Sequence, residues 1–124
     1  MEFYRCKHCG NMIAFTHKSG VPVICCGEAM EKVTENTVDA AHEKHVPVII
    51  REGMKITVKI GSVEHPMIPE HYITWIALET ANGNQRKVLY PGEKPQAVFY
   101  IDENDTIIKA YEYCNIHGLW SAQG

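Results

Sequence analysis

This chain lacks a basic run. Its 12 lysines and arginines are scattered among 15 acidic residues, for a net charge of −3. A nucleic-acid binder needs clustered cations to neutralise phosphates, so that class is excluded. Long apolar runs are also missing. Stretches such as Val46–Ile50 are far too short to cross a bilayer, so no membrane partner is expected. The opening Met1-Glu2-Phe3-Tyr4-Arg5-Cys6 has no basic start followed by an apolar stretch, and no signal peptide is visible. The expected location is therefore cytoplasmic. Absent too are repeats, low-complexity tracts and any long segment with a 3.6-residue apolar period, which argues against a helical protein. Finally, an even cysteine count is lacking. With five cysteines, at least one stays unpaired in any disulfide scheme. Cys25 and Cys26 are adjacent, and a bridge between them would be a strained ring. In a reducing compartment such a cluster points to metal instead.

What is present is an ordinary globular composition, 45% hydrophobic and 22% charged over 124 residues, enough for one domain with a small appendage. Met54–Ile60 alternates apolar and polar residues with period two, as a half-buried strand does. Tyr72–Thr80, Lys87–Tyr90, Gln96–Ile101 and Thr106–Tyr113 are rich in β-branched and aromatic residues. Turn signals at Asn82-Gly83, Pro91-Gly92 and Asn104-Asp105 punctuate them. The expectation is an all-β protein with an antiparallel sandwich. Residues 33–44 are polar and read as a connector. The expected domains are 1–37 and 38–124.

The first of these domains is too short to offset its chain entropy by burial and needs a staple. Cys6-Lys7-His8-Cys9 and Cys25-Cys26 form a C-x2-C-x15-C-C set that could supply one. Two thiolates three residues apart can reach one ion from a tight loop, and four suit tetrahedral zinc or a single iron. Adjacent side chains diverge in an extended strand, so Cys25 and Cys26 can share an ion only if the backbone kinks.

A second constellation lies downstream. Cys114 and His117 form a C-x2-H pair, and His45, His65 and His71 fall where turns are expected. Pro66 disfavours helical geometry at His65 and Pro69 stiffens the span to His71, which places the pair on a rigid loop. His8, His17 and His42 complete the seven histidines and are expected bystanders. His42-Glu43-Lys44-His45 is not a zinc-protease motif, because H-E-x-x-H would need histidine where Val46 stands.

Together, C-x2-C-x15-C-C, Glu43-Lys44-His45-Val46-Pro47, His65-Pro66-Met67 with Glu70-His71-Tyr72-Ile73, and Cys114-Asn115-Ile116-His117-Gly118 resemble, in order, the motifs of the desulfoferrodoxin family, the two-iron superoxide reductases. The resemblance covers essentially the whole chain. It implies one iron on Cys6, Cys9, Cys25 and Cys26 in a small N-terminal domain. It implies a second iron held in a plane by His45, His65, His71 and His117, with Cys114 axial. It further implies an immunoglobulin-like sandwich, a homodimer, superoxide as substrate and a rubredoxin-type electron donor.

Such a ligand set is chemically coherent. Four neutral imidazoles and one thiolate leave a ferrous site near +1 that attracts an anion, with a sixth position open. Zinc prefers four ligands and has no redox chemistry. Glu43 and Lys44 precede His45 and must lie near that metal if His45 binds it. Lys44 could steer superoxide by charge, and the family's glutamate at this position serves as a further ligand once the iron is oxidised. Two other readings stand beside this one: an electron carrier using only the four-thiolate iron, and a zinc-stapled interaction module.

Overall fold

The structure is a computed structural model and describes residues 1–124. The chain divides into two compact units, Met1–Thr34 and Glu35–Gly124. The first holds five very short strands: β1 (Phe3–Arg5), β2 (Met12–Ala14), β3 (Ile24–Cys25), β4 (Glu28–Ala29) and β5 (Glu31–Lys32). β1 is central in a three-stranded antiparallel sheet of order β2-β1-β5, and β3-β4 is a separate hairpin. Its buried hydrophobic residues are Phe3, Cys6 and Met30 alone. So thin a core cannot offset the ordering cost of more than thirty residues, which leaves the clustered cysteines to hold the unit together.

The second unit begins with one helical turn, α1 (His42–His45), followed by seven strands. These are β6 (Pro47–Glu52), β7 (Lys55–Ile60), β8 (Ile73–Thr80), β9 (Gly83–Val88), β10 (Gln96–Tyr100), β11 (Ile107–Cys114) and β12 (Gly118–Gln123). They form two antiparallel sheets of order β10-β7-β6 and β12-β11-β8-β9. This is the three-plus-four division of an immunoglobulin-like sandwich. Ile56, Val58 and Ile60 from β7, Ala97 and Phe99 from β10, Ile73, Ile76 and Leu78 from β8, and Ala110 and Cys114 from β11 fill the space between the sheets. Burial at 25–30 cal/mol per Å2 of apolar surface is the main driving term for this unit. Cys114 is thus a core residue as well as the last residue of a central strand.

The strands differ from the sequence expectation at three places. The strand expected over Lys87–Tyr90 runs instead over Gly83–Val88, and every residue in it is exposed. β6 and β12 carry no alternating pattern to announce them. Within the polar connector, residues 42–45 close one helical turn, with Lys44 N–H donating to Ala41 O and Val46 N–H to His42 O.

Candidate metal centres

In the first unit, the four sulfurs of Cys6, Cys9, Cys25 and Cys26 lie within 4.8 Å of one another. The loop after β1 turns so that Cys9 N–H donates to Cys6 Sγ at 3.5 Å and Asn11 N–H to Cys9 Sγ at 3.4 Å. Cys26 takes φ of +52°, in the left-handed region that residues with a Cβ seldom occupy. That is the kink which lets two neighbouring side chains reach one point. The crowding splits the thiol acidities. The Cys9 amide bond helps hold the Cys6 thiol down to about 6, and contacts with Cys6, Cys9 and Cys25 push Cys26 up to about 12. Four thiolates can coexist at this spacing only with a cation among them, which fits a bound metal.

The second constellation is built on the edge of the sandwich from three segments. His45 ends α1, His65 and His71 lie in the loop between β7 and β8, and Cys114 ends β11 with His117 in the turn that follows. The four imidazoles close a ring, each set edge-on to the next. Centroid separations are 4.7 Å for His45–His65, 4.6 Å for His65–His71, 5.0 Å for His71–His117 and 4.9 Å for His117–His45. One donor atom from each of His45, His65, His71 and Cys114 falls within 4.8 Å of the others. His117 joins them through Nδ1, 3.1 Å from His45 Nε2 and 4.0 Å from Cys114 Sγ.

Side-chain tautomers and orphaned atoms test whether metal fits here. His65 Nδ1 lies 2.7 Å from the carbonyl oxygen of Pro66, which only accepts, so Nδ1 carries the proton and Nε2 presents a bare lone pair. That Nε2 is buried without a hydrogen-bond partner, as is Nε2 of His71. Orphaned buried nitrogens are costly, and a metal ion satisfies them. Two nitrogens each about 2.1 Å from one ion and at right angles would be about 3 Å apart, matching the His45–His117 spacing. Burial holds the conjugate acids of His45 and His65 down to about 4, so both rings are neutral donors at physiological pH. The Cys114 thiol is pushed up by burial, and N–H groups of His117 and Ile116 draw it back. Its sulfur accepts from His117 N–H at 3.4 Å. A cation is needed to complete its ionisation.

Trp120 braces the ring. Its indole stacks on His45 at 5.0 Å with 14° between the planes, and Nε1–H donates to His117 O at 3.0 Å. Gly118, at φ of +77°, closes the turn that returns the chain from His117 into β12. Glu112 was not expected from the sequence. It is fully buried, its carboxyl oxygens have no hydrogen-bond partner, and Oε2 lies 3.8 Å from the likewise unpartnered Nδ1 of His45. Burial raises its pKa to about 9, so it is a neutral acid at pH 7. The period-two alternation of β11 was the available signal, because residues 110, 112 and 114 share one face.

Glu43 and Lys44 are exposed and sit on α1 immediately before His45. Their backbone is fixed by the 61–63 turn. Val63 N–H donates to Glu43 O at 2.9 Å, and Ser62 Oγ–H donates to the same oxygen at 3.3 Å. Of the remaining histidines, His8 pairs with Glu28 at 3.0 Å, His17 is exposed, and His42 meets Trp120 edge-on at 5.1 Å.

Two family models match the chain: "Desulfoferrodoxin, N-terminal domain" over residues 1–33 and "Desulfoferrodoxin" over residues 37–123. The chain belongs to the desulfoferrodoxin family. A desulfoferrodoxin from Syntrophotalea carbinolica is 49% identical, over 100% of this chain and 97% of that protein. A superoxide reductase from Pyrococcus horikoshii is 40% identical over 73% of this chain and 94% of its own length. The crystal structure of the superoxide reductase from Treponema pallidum superposes with a TM-score of 0.80 at 42% identity, covering 92% of this chain and 93% of that one. With its four-cysteine and histidine–cysteine clusters, the chain has the family's two-iron architecture. No helix is long and apolar enough to cross a membrane.

Proposed function

We propose that this protein is a superoxide reductase, which consumes one electron and two protons to convert superoxide to hydrogen peroxide without forming dioxygen. The observation that carries the reading is the closed ring of four imidazoles with a buried cysteine sulfur among its donor atoms. His45, His65, His71, His117 and Cys114 would hold the catalytic iron, and Cys6, Cys9, Cys25 and Cys26 the second. Iron held by these five ligands would supply the transferable electron and a positive charge that attracts a small anion.

The chain's own residues prepare that site. Neutral imidazoles contribute no charge, so a single thiolate leaves a ferrous site net positive. The Pro66 carbonyl fixes the His65 tautomer and aims Nε2 inward. Trp120 keeps the His45 ring from turning. Amide N–H groups of Ile116 and His117 spread the charge of the Cys114 sulfur and orient it. Lys44 steers the superoxide anion. In support, its charge is felt at both His65 and His71, where it disfavours protonation. Glu43 offers a carboxylate as a further ligand after oxidation, as the family resemblance implies, and its backbone is anchored by Ser62 and Val63.

The electron donor is read as a rubredoxin-type protein, the assembly as a homodimer and the compartment as the cytoplasm. Residues 1–37 are read as the four-thiolate iron domain and 38–124 as the catalytic domain. Metal analysis of natively purified protein tests the reading: two irons per chain and a coloured oxidised form are expected. A colourless protein holding only zinc would contradict it.

A further inference from the structure

We propose that Asn115 is the positioning residue that holds His71 in the imidazole ring. This rests on the reading of His71 as a ligand. His71 needs such a device. It is only half-buried and follows the short turn in which Ile68 and His71 exchange backbone hydrogen bonds at 3.0 and 3.1 Å. The ladder between β8 and β11 becomes irregular where it approaches this turn. Tyr113 faces Trp75, but the next residue, Cys114, faces Ile73. Regular strand pairing therefore does not carry the register on to residue 71.

One side chain takes over. Asn115 Nδ2–H donates to the carbonyl of Glu70 at 3.0 Å, and Tyr72 N–H donates to Asn115 Oδ1 at 2.9 Å. The backbone N–H of Asn115 donates to Tyr72 O at 3.2 Å. A single planar amide thus spans the residues on both sides of His71. The amide belongs to the residue covalently next to Cys114, so it sets the distance between the His71 nitrogen and the Cys114 sulfur. The partners fix its orientation, since an N–H only donates and a C=O only accepts. They also explain the residue type. Aspartate offers no donor to the Glu70 carbonyl, alanine offers neither group, and glutamine has one methylene too many.

The test compares Asn115→Ala, Asn115→Asp and His71→Ala in the full, iron-loaded chain. Readouts are the thiolate-to-iron absorption of the histidine site, iron retained there against a chelator, and the melting temperature. The four-cysteine centre of the same molecule is the internal reference. Asn115→Ala is expected to lower iron retention at the histidine site about tenfold to a hundredfold. Its absorption should shift in the direction seen with His71→Ala, while the four-cysteine centre is unchanged. Asn115→Asp keeps the acceptor for Tyr72 N–H and should fall between. Wild-type retention and absorption in Asn115→Ala would overturn the proposal. So would an equal loss at both centres or a lowered melting temperature with an unshifted band. If His71→Ala leaves the absorption unchanged, the ligand assignment fails, and the proposal with it.

Discussion

His45 Nε2 and His117 Nδ1 lie 3.1 Å apart although they are 72 positions apart in the chain. Two lone pairs at that distance repel unless a proton or a cation lies between them. The neighbouring orphaned nitrogens of His65 and His71 and the Cys114 sulfur favour the cation. His45 arrives at the end of a helical turn and His117 from a strand-connecting turn, each fixed by contacts to Trp120.

Cys114→Ser replaces the only sulfur of this site with a much weaker metal ligand. The sulfur-dependent absorption of the catalytic iron should vanish and superoxide reduction should collapse, while the spectrum of the four-cysteine centre persists. Retained reduction in stopped-flow mixing would support a function residing in the four-cysteine centre.

Lys44 is expected to act through charge and place. Lys44→Ala should slow the bimolecular reaction by roughly tenfold or less and weaken its dependence on salt. An unchanged ionic-strength profile would count against steering. Gly61 tests the placement separately. A Cβ there would collide with Val63 O and meet Glu43 O at 2.7 Å and Lys44 Cα at 2.8 Å, with φ at +83°. Gly61→Ala should destabilise by about 1–3 kcal/mol and slow the same reaction without changing its residue set.

With iron removed from the histidine site, acid should unfold the protein early. His45 and His65 have their pKa lowered by burial from 6.5 to about 4. The unfolded chain takes up these protons first, so the stabilising term is complete above pH 6.5 and is lost as pH falls towards 4. Each tenfold difference in proton affinity is worth about 1.4 kcal/mol, so the effect is on the order of a few kcal/mol. Melting temperature against pH measures it, and a flat profile between these values would refute burial as neutral imidazoles.

Glu112 should show the opposite sign. Its folded pKa is raised from 4.5 to about 9, so its contribution is complete below 4.5 and drains away as pH rises towards 9. Glu112→Gln keeps the shape and removes the charge. It should flatten the alkaline fall in melting temperature of the iron-free protein. An identical fall in both proteins would mean that this carboxyl does not cause it.

The sandwich was legible where one face of a strand is wet. Met54–Ile60 alternates because β7 lies in a sheet with one face on the core, and Asn82-Gly83 marks the turn into β9. β9 itself was displaced in the reading because Gly83–Val88 is exposed throughout and has no apolar face to show a period. β6 was hidden in the continuous run Val46–Ile50, and β12 within a motif that reads first as ligands. For the site, Cys25-Cys26 announced a kink, and Cys26 supplies it with positive φ. Pro66 announced a loop at His65, but not that its carbonyl would accept a hydrogen bond from His65 Nδ1–H. Asn115 acts through tertiary contacts with residues 70–72, which no local pattern encodes, and the alternation of β11 puts Glu112 on the Cys114 face without showing that His45 lies beside it.

The most direct test of the central claim is product stoichiometry. The reduced, iron-loaded protein is mixed with superoxide, and peroxide and dioxygen are measured together. One peroxide for each superoxide consumed, with no dioxygen released, is the expected result. Half as much peroxide, with dioxygen making up the balance, would be dismutation and would contradict the account.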